Sequence, residues 1–358
     1  LRSILTNSKH FIQFFTNHLS LELFFVPLRY MMTTTTTPPS ARFQQWAMEA
    51  DAFLTSLPYA DRQPASLYDP LHYFMQMGGK RIRPVLTLAA HHFSGGTETA
   101  ILSRACGIEL FHNFSLVHDD IMDQAPTRRG KETVHTLWNT STAILSGDLM
   151  LIEAYQLLME GDASTALPVL KAFNRTAADV CIGQAFDMDF EKTMQVSAAQ
   201  YLHMIEKKTA VLLGCALEIG GISAGLQPAQ SQKLYEFGCK AGLAFQLWDD
   251  WLDAFGTPEQ TGKQPGGDVL AKKKTLLVIR FMEQASPEAQ GRFLHAFHHG
   301  KVEDVLHIWH QHQLPEHIRS EVMTLRDQAI ALIPATGLSE EGQAFLTWMT
   351  DFFIVRAK

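Results

Sequence analysis

Apolar residues in this chain recur every three or four positions and almost nowhere every second one. Ile101, Leu102, Ala105, Ile108, Leu110 and Phe114 carry the spacing, which gathers them on one stripe of a helix. Sustained alternation, the mark of a half-buried strand, is missing, and so are the Asn-Gly pairs that seed tight hairpins. The helical pattern runs from Phe43 to the C-terminal end. It breaks at Gly78-Gly79, Gly95-Gly96, Pro126, Gly161-Asp162 and residues 225–228 and 256–258, all recognisable turn punctuation. Several segments between breaks are apolar nearly all round, so other helices must cover them on every side. A 358-residue chain that is 46% hydrophobic and 19% charged has ample material for such a core. The expectation is all-α: a single-domain orthogonal or antiparallel bundle of about a dozen helices around a central cavity.

Residues 1–40 follow another rule. An apolar patch, LSLELFFVPL, gives way to Met31-Met32, five threonines and Pro38-Pro39. Glu22 interrupts the patch and no A-x-A-like cleavage site follows it. The stretch reads as an extension upstream of a start at Met31 or Met32, with a Thr/Pro linker behind it; residues 41–358 read as the folded domain. No uninterrupted apolar run reaches the ~18 residues of a membrane span, so stable membrane insertion is not expected. A net charge of −7 speaks against nucleic-acid binding, which needs a basic excess to neutralise phosphates. Cys106, Cys181, Cys215 and Cys239 are widely spaced and form no CxxC pair. They read as reduced core thiols, so a reducing, cytoplasmic compartment is expected.

One internal echo carries chemistry. FSLVHDDIMD (residues 114–123) and FQLWDDWLD (residues 245–253) each end an apolar helix with two adjacent carboxylates and a third three positions on. These are Asp119, Asp120 and Asp123, then Asp249, Asp250 and Asp253. Like charges so close repel, and at a helix C-terminus they also oppose the dipole. Something positive must offset them. Mg²⁺ suits such oxygens and is typically held by one or two carboxylates plus substrate phosphates; for either cluster alone, a solvated acidic helix end is the plainer alternative. Cations alternate with the carboxylates along the chain. Lys80, Arg81 and Arg83 sit in the glycine-led GGKRIRP, Arg128-Arg129-Gly130 follows the first cluster, and Lys207-Lys208-Thr209 interrupts an apolar helix. Lys263, Lys273 and Lys274 follow the second cluster. Arg and Lys bind phosphate directly whereas Asp needs a metal between, so the set suits two polyanions. One would be clamped by bare cations and the other chelated through Mg²⁺. Neither a P-loop nor a GxGxxG after a strand is present, and nucleotide binding is not indicated.

In GGKRIRP, HDDIMDQAPTRRGKETVH, GQAFDMD, KKT and FQLWDDWLDAFG, with TGKQPGGDVLAKKKT behind them, the chain resembles the trans-isoprenyl diphosphate synthases. It is most similar in type to the farnesyl/geranylgeranyl members of that polyprenyl synthetase family, from about Phe43 onward. The resemblance implies a Mg²⁺-dependent condensation of isopentenyl diphosphate with an allylic diphosphate (dimethylallyl, geranyl or farnesyl). Asp119, Asp120, Asp123, Asp249, Asp250 and Asp253 would hold three Mg²⁺ ions, with Mn²⁺ a substitute, on the allylic diphosphate. Arg128, Lys208, Lys263 and Lys273 would touch that diphosphate too. Lys80, Arg83, His112 and Arg129 would bind isopentenyl diphosphate. Thr209 and Gln246 would line the place where positive charge develops, and Asp187 would be a supporting carboxylate. Phe111, Phe114 and Ser115, upstream of Asp119 on the same helix, would floor the product cavity. One aromatic with a small Ser115 leans towards a C20 product, with C15 next. A homodimer is implied as well. Two other readings share the fold: a class I terpene cyclase, which would not need the isopentenyl clamp, and a non-catalytic subunit, which would have lost aspartates. A zinc site could be argued from His307, His310 and His312 or from His91-His92, but no cysteine accompanies them.

Overall fold

A computed structural model of the chain describes residues 37–193, 195–261 and 264–354. Residues 1–36 of the N-terminal extension and Lys263 therefore lie outside the described residues. In chain order the helices are α1 (Pro39–Thr55), α2 (Ala65–Met75), α3 (Ile82–Phe93), α4 (Ile101–Met122), α5 (Val134–Leu137), α6 (Thr140–Met159), α7 (Ala163–Lys192), α8 (Ala198–Ile205), α9 (Val211–Ser223) and α10 (Pro228–Phe255). The C-terminal third adds α11 (Pro258–Thr261), α12 (Gly267–Leu270), α13 (Leu276–Gln284), α14 (Pro287–His298), α15 (Val302–Gln311), α16 (Leu314–Leu332) and α17 (Glu340–Ile354). The all-α expectation holds, and the expected breaks are real. Gly78, Gly95 and Gly225 follow α2, α3 and α9 in the left-handed backbone that glycine adopts without penalty. The first helix starts slightly before the expected domain boundary, because Pro39 occupies a first-turn position where its missing N–H is no loss.

Helix α9 explains the architecture. VLLGCALEIGGIS is buried at every position but Ile222, so it needs neighbours all round, and α3, α7 and α10 supply them. Contact with α10 is unusually close. A Cβ added to Gly238 would stand 2.5 Å from the Cα of Gly214 on the facing helix. The hydrophobic residues fall into two clusters. One is centred on α1–α4, α6, α9 and the first half of α7. The other joins α8, the second half of α10 and α13–α16.

Besides the interhelix segments that hold Lys80 and Arg81 and Lys272 to Lys274, regular α-helix gives way at two places that carry cations. Thr127–Arg128 (β1) pairs antiparallel with Lys131–Glu132 (β2), within the little or no sheet expected. The turn between them places Arg129 at φ 54° and Gly130 at φ 74°, the paired positive φ of a type I′ hairpin; Gly130 was the available signal. The Lys-Lys-Thr helix is not uniform either, since Glu206–Ala210 is one π-helical turn between α8 and α9.

Other expectations shift. Cys106, Cys215 and Cys239 are buried, but Cys181 is exposed on α7, so only three are core thiols. The histidines considered for zinc do not converge. His310 lies against the ring of Phe255 and His312 against that of Phe281, while His92 packs on Trp46. Among the described residues no three metal-ligating side chains of that kind form a cluster. Helix α6 is long and apolar enough to cross a membrane by length and composition alone; it packs against α2, α4, α5 and α7.

The α9–α10 contact yields a stability test. Gly238→Ala should lower unfolding free energy by about 1–3 kcal/mol, the usual loss on overpacking, as read from urea denaturation followed by circular dichroism.

Candidate active site

Helix α4 ends in Asp119 and Asp120, with Asp123 as its C-cap. Each of the first two carboxylates receives a cation from another element. The β1–β2 hairpin delivers Arg128, whose Nε donates to the two oxygens of buried Asp120 at 2.8 and 2.9 Å. Its terminal nitrogen reaches Asp119 Oδ2 at 3.5 Å. Lys208 Nζ donates to Asp119 Oδ1 at 3.1 Å and to Asp187 Oδ2 at 2.6 Å. Burial alone would lower the Lys208 pKa, but the charges of Asp119 and Asp187 outweigh it and hold the ammonium above its ordinary value. Burial pushes Asp120 and Asp123 up from the usual carboxylate range, in Asp120 against the opposing pull of Arg128. The repulsion anticipated at this helix end is thus met by protein cations.

The π-turn makes this delivery possible. Asp179, Gly183 and Asp187 lie four residues apart on one stripe of α7, and the turn docks on that stripe. Lys207 Nζ pairs with Asp179 at 2.8 Å while Lys208 pairs with Asp187. Gly183 sits between, where a Cβ would come within 2.2 Å of the Lys208 amide nitrogen. A π-turn inserts an extra residue and such turns gather at functional sites; here two consecutive lysines straddle one helix. Thr209 is half-buried in the same turn. Asp187 was expected only as a supporting carboxylate, and its partner is now specific.

The second acidic cluster has a different character. Asp249 is half-buried near the end of α10. Asp250 is buried, accepts from Tyr201 Oη at 2.6 Å and from Gln246 Nε2 at 3.1 Å, and is pushed up to about 7 chiefly by burial. Asp253, also buried, accepts the backbone amide of Asp268 on Oδ2 at 2.7 Å. Within one cluster, then, Asp249, Asp250 and Asp253 differ in burial and in partners. Buried carboxylates must be hydrogen-bonded, and here the donors for Asp250 and Asp253 come from the protein, Gln246 among them. Tyr201 on α8 was not singled out from sequence, because nothing in AAQYLHMI distinguishes it from a core aromatic.

A third group is almost entirely cationic. Arg81, in a left-handed conformation before α3, is fully buried and binds Asp51 at 2.9 Å and Glu109 at 3.1 Å. Arg83 and Arg129 stand close by. Burial lowers the pKa of both; Glu109 opposes this and each is further depressed by neighbouring guanidinium charge. Arg129 also donates to the carbonyl of Gly78, and Gly79 leaves space where a Cβ would press on the guanidinium groups of Arg81 and Arg129. Lys80 is exposed at the edge. His112 is held well below its ordinary value by burial and by the charges of Arg83, Arg129, Arg128 and Arg81, so it is a neutral imidazole. Arg83 Nε is buried with no hydrogen-bond partner among the described residues. Three guanidinium groups share chiefly Glu109 and Asp51, a net positive pocket fit for an anion. Arg81 and Glu109 were not assigned roles from sequence; for Glu109 the signal was a charged residue inside an otherwise apolar helical stripe.

The upstream residues of α4 form a wall. Phe111 is buried and meets Phe173 edge-on at 5.0 Å, Phe114 packs on Phe111 at 5.5 Å and on His118 at 4.7 Å. The Ser115 hydroxyl donates to the carbonyl of His112 at 2.8 Å. Beyond the second cluster, Lys273 is exposed and its charge opposes the rise in the Asp123 pKa. Lys274 instead binds backbone carbonyls at the end of α7.

These carboxylates fit a hard divalent cation that takes part of its shell from elsewhere. With no ready-made cluster of three ligands among the described residues they make no closed cage. Asp119, between two cations that a ligand can displace, suits Mg²⁺ that completes its shell with substrate oxygens.

An all-helical bundle holding carboxylates beside a separate cationic pocket suits an enzyme that acts on anionic substrates. The family model for polyprenyl synthetase matches residues 64–311. A geranylgeranyl diphosphate synthase of Methanosarcina mazei is 38% identical over 224 residues, 62% of this chain and 69% of that protein. A short chain isoprenyl diphosphate synthase of Methanothermobacter thermautotrophicus is 38% identical over 66% of this chain and 73% of its own length. A solved geranylgeranyl pyrophosphate synthase superposes with a TM-score of 0.82 at 37% identity, covering 90% of this chain and 100% of its own. The chain belongs to the polyprenyl synthetase family, and it is a prenyl-transferring enzyme.

The cationic pocket rests on Glu109. Glu109→Ala should destabilise the fold by about 3–5 kcal/mol, the loss seen when one partner of a buried pair is removed. Guanidinium denaturation against the parent chain reads this directly.

Proposed function

We propose that the chain condenses isopentenyl diphosphate with an allylic diphosphate, head to tail, to a short-chain prenyl diphosphate. The observation that carries the reading is Asp119 held between Lys208 and Arg128, beside a cationic pocket formed around Arg83, Arg129 and neutral His112. The two environments suit two diphosphates with different tasks. Lys208 and Arg128 can turn from Asp119 and Asp120 to the allylic diphosphate and stabilise the charge that builds as its carbon–oxygen bond breaks. When bound, Mg²⁺ supplies Lewis-acid stabilisation of the departing pyrophosphate; Asp119, Asp123 and Asp249 would hold it. We take three ions, with Mn²⁺ as a substitute, as part of this proposal. Arg83, Arg129, Lys80 and His112 hold the diphosphate that does not react. The apolar side chains of α4 keep water from the allylic cation, and the isopentenyl double bond attacks it. The proton then lost goes to the bound pyrophosphate, so no side-chain base is needed. A cyclase would have no use for the cationic pocket, and product formation that requires isopentenyl diphosphate separates the two. A second copy of the chain is proposed to cover α6, where Leu145, Ile152 and Met159 are exposed at seven-residue spacing.

Incubation with isopentenyl diphosphate, an allylic primer and Mg²⁺ should yield prenyl diphosphates identifiable by mass, and chelation should abolish them. Asp119→Ala should lower turnover by several orders of magnitude, since electrostatic stabilisation of the leaving group is lost. Lys80→Ala and Arg83→Ala should raise KM for isopentenyl diphosphate alone, whereas Arg128→Ala and Lys208→Ala should act on the allylic side. Activity retained without Asp119, or equal effects on both substrates, would contradict this division.

Product length is proposed as C20, with C15 next. A product growing along α4 away from Asp119 meets Ser115, Phe114 and then Phe111. Phe114→Ala should lengthen the product and Ser115→Phe should shorten it, as read by mass. An unchanged distribution in both variants would place the floor on another helix.

A further inference from the structure

Residues 266–275 form a strap between two helices, and each end is fastened to a different one. At its start the amide of Gly266 donates to the Asp253 carbonyl at 2.6 Å, and the amide of Asp268 to the Asp253 carboxylate at 2.7 Å. Both contacts lie at the end of α10. At the other end Lys274 Nζ meets three backbone carbonyls, those of Phe190 at 2.8 Å, Glu191 at 3.1 Å and Thr193 at 2.5 Å. Phe190 and Glu191 belong to the last turn of α7, whose carbonyls have no helical partner and favour a cation. An ammonium has three donors, and all three are taken. Lys274 therefore has no donor left for substrate.

Between the anchors lies Lys273. Its amide donates to the Asp268 carbonyl at 2.9 Å, and Lys272 before it is forced into the left-handed region at φ 56°. With Lys274 turned onto α7, Lys273 stays exposed, and its charge acts on Asp123, where it opposes the rise that burial causes. The helix that Lys274 grips also carries Asp187, the partner of Lys208.

We propose that Lys274 is a positioning residue that fastens the strap to α7 and so holds Lys273 at a fixed place relative to Lys208 across the allylic diphosphate. The inference rests on the proposed condensation of two diphosphates. The test is a double-mutant cycle on the full chain with dimethylallyl and isopentenyl diphosphates and Mg²⁺, using Lys273→Met, Lys274→Met and the pair, with Lys274→Arg as the conservative variant. Lys274→Met should lower kcat/KM for dimethylallyl diphosphate about tenfold, as expected on losing charged hydrogen bonds, with KM for isopentenyl diphosphate unchanged. Lys274→Arg should recover most of the loss. In the Lys273→Met background, Lys274→Met should add little, because its effect runs through Lys273. If Lys274→Met does not fold by circular dichroism, Lys274→Gln takes its place in the cycle. Additive losses, equal losses on both substrates, or no loss would overturn the inference while leaving the parent activity standing. A parent chain inactive with every allylic primer would overturn the functional reading and this inference with it.

Discussion

The structure depends on a carboxylate held between two cations at the end of a helix. Asp119 sits where the α4 dipole and its neighbours Asp120 and Asp123 all disfavour negative charge, and Lys208 and Arg128 make that charge tolerable. Neither cation can come from α4 itself, where the face is apolar upstream and acidic at its end. One is carried on a two-residue hairpin and the other on a π-turn, so both come from places where the chain leaves regular α-helix.

The same logic orders the rest of the cavity. Asp187 and Asp179 fix the lysines of the π-turn, and Gly183 allows α7 to approach the backbone that carries them. Asp250 and Asp253 bind donors from Tyr201, Gln246 and the strap, which makes the second acidic cluster partly a brace. On the cationic side, Glu109 stabilises the buried guanidinium of Arg81, and burial, with the surrounding positive charge, holds the His112 pKa well below its ordinary value. The outcome is one region where cations are matched by carboxylates and another where they outnumber them. A metal-assisted leaving group suits the first, because the carboxylates can exchange a lysine or arginine for a bridging ion. A diphosphate that must merely be held suits the second.

Much of this was legible in the residues. Helical spacing, glycine breaks and all-round apolar α9 dictated a helical bundle, since a segment apolar on every side can only be central. The two acidic clusters and the alternating cations pointed to a site for two polyanions, because such charges are unfavourable locally without a counter-ion, and the resemblance of the motifs made those polyanions diphosphates. Less legible were the groups that act on other side chains. Glu109 and Tyr201 are single polar residues in apolar stripes and Arg81 is one of three cations in a loop, and their meaning lies in a partner 28 to 49 positions away in sequence.

By itself, then, the sequence determined helical class, the position of the breaks and the inventory of charges, all of which follow from local periodicity and composition. Only the tertiary structure decided which charges meet. Arg128, Lys208, Asp187 and Asp119 come from four elements, and ion pairing falls off so quickly with distance that a shift of a few ångströms would unmake the set. Lys273 and Lys274 show the limit most plainly. They are adjacent and chemically identical, yet one stays exposed with its charge acting on Asp123 while the other binds three backbone carbonyls at the end of α7, because only the packed helices decide what each side chain can reach.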